Sequence, residues 1–165
     1  MDSIYNRYAL SLFSIAKEEN QVENYKDFIK MIRQVMMENH ELVHLLSSYF
    51  ILQEEKESVL NSVFKEVPEY ILNFVKLITK NKRTTEMNQI FIEFNKMCND
   101  YLGIKEGIIY STEPLNEKEI NQVEQKLSEV ISTKVELTNE IDEKLLGGVK
   151  VVIEDRVYDG SIKSK

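Results

Sequence analysis

The sequence predicts an α+β protein of two domains: an N-terminal six-helix bundle followed by a small C-terminal α/β domain, in which one helix packs on a small sheet. The first observation behind this is the placement of glycine. Residues 1–102 contain none, and all five glycines lie from Gly103 onward, at 103, 107, 147, 148 and 160. Glycine weakens helices and opens left-handed backbone conformations. The break therefore reads as helices giving way to strands and tight turns. The second observation is a hydrophobic period near 3.6 through the first half, and the third is a strand-helix-strand-strand-strand pattern in the second. The boundary is expected near Gly103, separating residues 1–104 from 105–165.

Taken in order, Ile4, Tyr8, Leu12 and Ile15 form the first helical stripe. Val22, Tyr25, Phe28/Ile29, Ile32 and Val35/Met36 form the second, and Leu42, Leu45/Leu46 and Tyr49 the third. Val59, Leu60, Val63 and Phe64 make a short fourth. Pro68 suits a helix first turn and precedes the fifth stripe, Ile71, Phe74/Val75 and Ile78. Thr84 or Thr85 is expected to cap the last helix of this half, with Met87, Ile90/Phe91, Phe94, Cys98 and Tyr101 inside. In the second half, Ile108 to Tyr110 reads as a short strand. Asn116 and Glu119 have capping-box spacing, with Leu115 and Ile120 as a hydrophobic staple. The buried face of the helix they open is Ile120, Val123, Leu127 and Val130/Ile131. Val135 and Leu137 alternate with polar residues, as a half-buried strand should. Val149, Val151 and Ile153 follow the glycine pair, and Glu154-Asp155-Arg156 turns the chain into Val157-Tyr158.

Composition excludes several classes. Apolar residues make up 42% of the chain, enough for a core, yet no run approaches the roughly 18 apolar residues of a membrane-spanning helix. The N-terminus turns amphipathic at once, without a basic region followed by an apolar run, so no secretory signal is expected. A single cysteine, Cys98, allows no internal disulfide and suits a reducing cytoplasm. The formal net charge of −7 argues against a nucleic-acid partner. Charge does not distinguish the halves, since residues 1–104 carry −3 and residues 105–165 carry −4.

One motif imitates a metal site. His40-Glu41-Leu42-Val43-His44 matches H-E-x-x-H, in which two histidines one helical turn apart chelate zinc and the glutamate is the general base. A catalytic zinc wants a third protein ligand, and these are the only two histidines. Glu66 or Glu69 could serve, but nothing marks either. With Asn39 as a helix N-cap, the motif reads as a solvated helix start. Gly147-Gly148 belongs to neither phosphate-loop pattern and reads as a turn entering a strand. Cys98 lies on an apolar helix face and reads as a small core residue. No catalytic constellation remains, and no cofactor or metal is expected.

The ordered motifs point elsewhere. Arg7-Tyr8-Ala9, Leu12-Phe13 and Ala16-Lys17-Glu18 resemble the opening R-Y-A-x-A-L-F-x-x-A-K-E of the ATP synthase delta subunit family, whose mitochondrial relative is the oligomycin-sensitivity-conferring protein. Asn39 to Leu46 and Glu55-Lys56 resemble that family's N-P-E-L-x-x-x-L and E-K, with His40 where proline is common. Asn73-Phe74-Val75-x-Leu77-Ile78 with Asn81 and Arg83 resembles N-F-L-x-L-L-x-x-N-x-R. Ser111 with Leu115, Val135-x-Leu137, Asp142, Leu145 to Val149 and Asp159-Gly160-Ser161 match the family's later elements.

The resemblance implies a non-catalytic stator subunit of a rotary proton-translocating ATP synthase. In such a subunit residues 1–104 grip the N-terminal helices of alpha subunits on the catalytic head, and residues 105–165 meet the peripheral-stalk b subunit. It implies a peripheral location on the cytoplasmic face of the bacterial cell membrane, with membrane contact only through the complex. It carries a partner groove onto the first and fifth helices, at Tyr8, Leu12, Phe74, Leu77 and Ile78, for which ordinary core packing is the competing reading. Val75 and Ile71 can face inward, leaving Phe74, Leu77 and Ile78 partly available. Family members usually continue beyond D-G-S into a short Leu-rich helix, so the C-terminal domain is expected to lack it. The other readings are a zinc metallohydrolase using His40 and His44, and an unrelated helical adaptor. A fragment ending at Leu102 is expected to fold alone and give an almost purely helical circular dichroism spectrum; a strand-rich or molten spectrum would contradict the two-domain reading.

Overall fold

The computed structural model describes residues 3–159. Among them are seven α-helices and four strands, which agrees with the α+β class. The chain divides between Cys98 and Asn99 into two compact units.

The amino-terminal unit is built from helices that each bury one stripe. α1 (Ile4–Glu18) starts where the Ser3 hydroxyl accepts the Asn6 N–H at 3.1 Å, satisfying one of the donors a helix start leaves free. Its buried face is Ala9, Leu12 and Ala16, so the two alanines and not Ile4 and Ile15 form the centre of the packed row. α2 (Val22–Glu38) buries Val22, Tyr25, Ile29, Ile32 and Met36, as its periodicity predicts, and also Lys26. α3 (His40–Ser47) buries Leu46. It ends before Tyr49, so the helical period no longer applies there, and Tyr49 is exposed rather than part of a buried stripe. α4 (Gln53–Val63) buries Leu60 and Lys56; Phe64 beyond it is buried, whereas Val63 faces solvent.

α5 (Glu69–Lys80) begins after Pro68 and buries Ile71, Leu72, Phe74, Val75, Ile78 and Thr79. Lys82 follows in the left-handed conformation, letting the Arg83 N–H reach back to the Ile78 carbonyl at 2.9 Å. A 3-10 turn (Thr84–Glu86) leads into α6 (Met87–Leu102). Neither threonine caps α6 as expected. The Thr84 hydroxyl instead donates to the Leu46 carbonyl at 3.3 Å, tying the turn to the end of α3. Met87, Ile90, Phe91, Phe94 and Cys98 are buried along α6, while Tyr101 is exposed.

The carboxy-terminal unit is a four-stranded sheet in the order β2-β1-β3-β4. β1 (Ile104–Ser111) and β2 (Lys134–Ile141) are parallel, joined through α7 (Glu117–Ile131). β3 (Lys150–Ile153) runs antiparallel to β1 and to β4 (Arg156–Asp159). The capping box that the sequence predicts is present: Asn116 Oδ1 accepts the Glu119 N–H at 2.8 Å, and Glu119 Oε1 accepts the Asn116 N–H at 3.2 Å. Ile109, Leu127, Val135, Val151 and Ile153 form the core, with Val123 and Ile131 packed against it. Val130 points to solvent, because the sheet lies on one side of α7 and its neighbour Ile131 occupies that side. Gly160 and Ser161 of the D-G-S motif, and the expected absence of a final helix, lie outside the described residues.

Asn139 joins the strand ends. Its Nδ2 donates to the Ile109 carbonyl at 2.9 Å and Ser111 Oγ at 3.0 Å, and its Oδ1 accepts the Leu115 N–H at 2.9 Å. β1 starts four residues earlier than the sequence predicts, so Gly107 sits inside a strand. It pairs with Leu137 on one side and Ile153 on the other. A Cβ there would lie 2.6 Å from both Ile153 Cγ1 and the Val152 carbonyl oxygen. Gly107→Ala is expected to lower the stability of this unit by about 1–3 kcal/mol, the usual cost of forcing extra carbon into a packed core. Urea unfolding followed by circular dichroism measures it, and an unchanged midpoint would contradict the packing described.

Candidate partner-binding site

The sequence carries the candidate groove on five residues, and the structure sorts them into three environments. Leu12 is 1% exposed and Ile78 0%, so both belong to the interior of the helical unit. This corrects the expectation that Ile78 is partly available, and Phe74, expected likewise, is 8% exposed and buried too. Ile78 sits three residues from Val75 and four from Phe74 on α5, and all three lie on that helix's buried side. Leu77, one step round the helix, is 47% exposed.

Tyr8 and Phe74 occupy the border between these two environments. Their rings meet edge to face, with centroids 6.3 Å apart and planes at 66°, a favoured aromatic geometry. Phe74 is buried and Tyr8 half-buried. The Tyr8 hydroxyl points to the end of α5, where it accepts a hydrogen bond from Asn81 Nδ2 at 2.7 Å. Arg83 Nη1 donates to Glu86 Oε2 at 3.0 Å. That bond holds the Arg83 guanidinium above its ordinary pKa, and the nearby Tyr8 oxygen adds to the effect.

Asn81 and Arg83 are thus part of the same arrangement. The sequence supplied them only as motif positions; what makes them neighbours of Tyr8 is a contact across 73 residues that no local pattern reveals. The result is a short surface with a fixed aromatic edge, an exposed leucine and a polar end, features that an amphipathic helix can cover. Nothing in it forms a nucleophile–base pair.

The zinc motif gains no third ligand among the described residues. His40, Glu41 and His44 are exposed in the first turns of α3. Among the described residues, no group of three His, Cys, Asp or Glu side chains is placed to hold a metal ion. Asn39 also differs from expectation: its side chain does not cap α3 but donates back to the Val35 carbonyl at 2.8 Å, closing the end of α2. Gly147 and Gly148 both take positive φ, 109° and 68°, in the turn before β3.

The chain resembles known proteins along nearly its whole length. The family model described as ATP synthase delta (OSCP) subunit matches residues 4–165. ATP synthase subunit delta of Bacillus cytotoxicus is 35% identical over 163 residues, covering 98% of this chain and 91% of that protein. The subunit of the same name in Bacillus cereus is 34% identical over the same shares. In fold, the chain is similar to one in the cryo-EM structure of the Toxoplasma gondii mitochondrial ATP synthase hexamer, with a TM-score of 0.67 and 17% identity over 99% of this chain and 93% of that one.

A family of non-catalytic stator subunits is thereby defined, built to hold an enzyme complex together. The chain belongs to the ATP synthase delta (OSCP) subunit family.

Cys98 supplies a probe of the helical unit. Its thiol is fully buried, and burial pushes its pKa from the ordinary 9.0 up to about 12, an effect that the charge of Lys26 partly offsets. The unfolded chain would ionise at the ordinary value, so this contribution to stability is complete below pH 9.0 and is lost as pH rises toward about 12. Unfolding free energies from denaturant titrations are expected to fall over that window by about 1.4 kcal/mol per pH unit more in the wild type than in Cys98→Ala. Equal slopes for the two proteins would show that the thiol is not desolvated.

Proposed function

We propose that this subunit joins the alpha-subunit N-terminal helices of the catalytic head to the b subunit of the peripheral stalk. In this reading the six helices of residues 1–104 act as one bundle that caps the head, and residues 105–165 meet the stalk. The single observation carrying the head contact is the surface at the α1–α5 border. Tyr8 is clamped by Phe74 and Asn81, and Leu77 is exposed beside it. A connector under rotor torque needs anchors that are already fixed before the partner arrives, because ordering them on binding would cost affinity. Tyr8, held by two contacts, meets that need.

For the stalk contact, the support is exposed apolar surface on the carboxy-terminal unit, where Ile141 is 48% exposed and Leu146 wholly so. The complex would hold the subunit at the cytoplasmic face of the bacterial membrane. No described helix is long and apolar enough to cross a membrane by itself.

The test is calorimetric titration of a peptide from the N-terminus of the cognate alpha subunit. Tyr8→Ala and Leu77→Ala are expected to stay folded and to bind about ten- to a hundred-fold more weakly, the loss of roughly 1–3 kcal/mol typical of an interface anchor. Leu12→Ala should instead lower the unfolding free energy, by about 2–5 kcal/mol for a buried leucine. If the two surface variants are folded and bind like the wild type, the head contact lies on another face.

A further inference from the structure

The C-terminal ends of α3 and α5 meet the start of α4 around a cavity of about 340 Å³ whose lining shares no residue with the partner surface. Three lysines line it, Lys56, Lys80 and Lys82, together with Tyr49 and the hydroxyls of Ser48 and Thr85. No aspartate or glutamate lines it, although the chain as a whole carries −7.

Lys56 makes this cavity unusual. It is only 8% exposed, and its ammonium makes no hydrogen bond or ion pair among the described residues. Its stem is what the helices bury; the ammonium is not among the buried atoms left without a partner and reaches the open cavity. The other buried lysine of this unit, Lys26, does have an interaction partner. Lys56 opens into the cavity instead, beside two further cations. The Lys82 ammonium also lies 5.3 Å from the centre of the Tyr49 ring, which places the aromatic face at the cavity mouth. The Ser48 oxygen accepts the Phe50 N–H at 3.2 Å, leaving the hydroxyl proton free to donate.

From this we infer that the cavity binds a phosphoryl group, either free phosphate or a small phosphate ester. Three lysines offer point charges suited to phosphate oxygens, more positive charge than a single carboxylate would neutralise. The volume is at the lower end for a small-molecule site, large enough for a phosphate together with part of an ester. Tyr49 is 82% exposed and could stack on the organic part of such an ester.

The full-length protein is tested in phosphate and in chloride at equal ionic strength, with inorganic phosphate and a nucleoside triphosphate as titrants. Phosphate is expected to raise the melting temperature of the wild type above its value in chloride. Lys56→Met keeps the apolar stem and removes the charge. It should bind both titrants at least tenfold more weakly, while its melting temperature in chloride is equal to or above that of the wild type. Should Lys56→Met not fold, Lys82→Gln, altered at an exposed side chain, decides alone by the same tenfold criterion. A nucleotide affinity that falls with Tyr49→Ala while phosphate affinity stays the same identifies an ester as the occupant; an unchanged pair identifies free phosphate. Equal melting temperatures in phosphate and chloride, or a folded lysine variant that binds like the wild type, would overturn the inference.

Discussion

The amino-terminal unit depends on the burial of α5 (Glu69–Lys80). Six of its twelve residues are buried, and it packs against both α2 and α4. Its Phe74 reaches α1 through Tyr8, and its Thr79 hydroxyl accepts from Gln53 Nε2 at the start of α4. A helix packed on several sides must be apolar around much of its circumference, and what remains uncovered is necessarily a narrow strip. Leu77 falls in that strip. The exposed leucine is therefore a product of the same crowding that buries Phe74 and Ile78, and a single residue step separates the two environments. A substitution meant to change the surface must avoid the buried side by one residue.

Polar groups set the limits of both units. At the end of α5 the left-handed Lys82 turns the chain so that Asn81 meets Tyr8 while Arg83 pairs with Glu86. In the carboxy-terminal unit Asn139 does comparable work, satisfying groups from β1 and from the loop before α7 with one amide. Buried polar groups cost stability unless they are paired. An amide that bonds on both its oxygen and nitrogen therefore fixes the ends of adjacent segments more narrowly than apolar contact does.

Much of this was legible in the sequence because it is local. The absence of glycine before Gly103, the capping box at Asn116 and Glu119, and the stripes of α2, α5 and α6 depend on residues within one or two turns of each other. What escaped depends on distant neighbours. Ala9 and Ala16 line the packed face of α1 because close helix approach favours small side chains there, and hydrophobicity alone ranks Ile4 and Ile15 above them. Tyr49 was assigned to a helix that ends two residues earlier. Glycine placement marks the change of domain character but not the role of Gly107, whose reason is the β3 backbone, 2.6 Å from where a Cβ would stand. Of the candidate partner residues, Tyr8 and Leu77 were recognisable by motif, but the burial of Leu12 and Ile78 and the involvement of Asn81 required the three-dimensional arrangement.

The pairing of the strands also sets an order of assembly. Hydrogen bonds within each helix close over a single turn of chain, whereas β1 must wait for β2 about thirty residues later and for β3 beyond that, as in the pair Ile109 and Val151. Pairings of high sequence separation incur loop-closure entropy before they return any energy, which makes them slow. A ribosome releasing the chain from its N-terminus would free the head-facing helices first, and the sheet could be completed only once β4 has left the exit tunnel. The part read here as gripping the head is thus the part able to fold earliest, while the remainder is still being made.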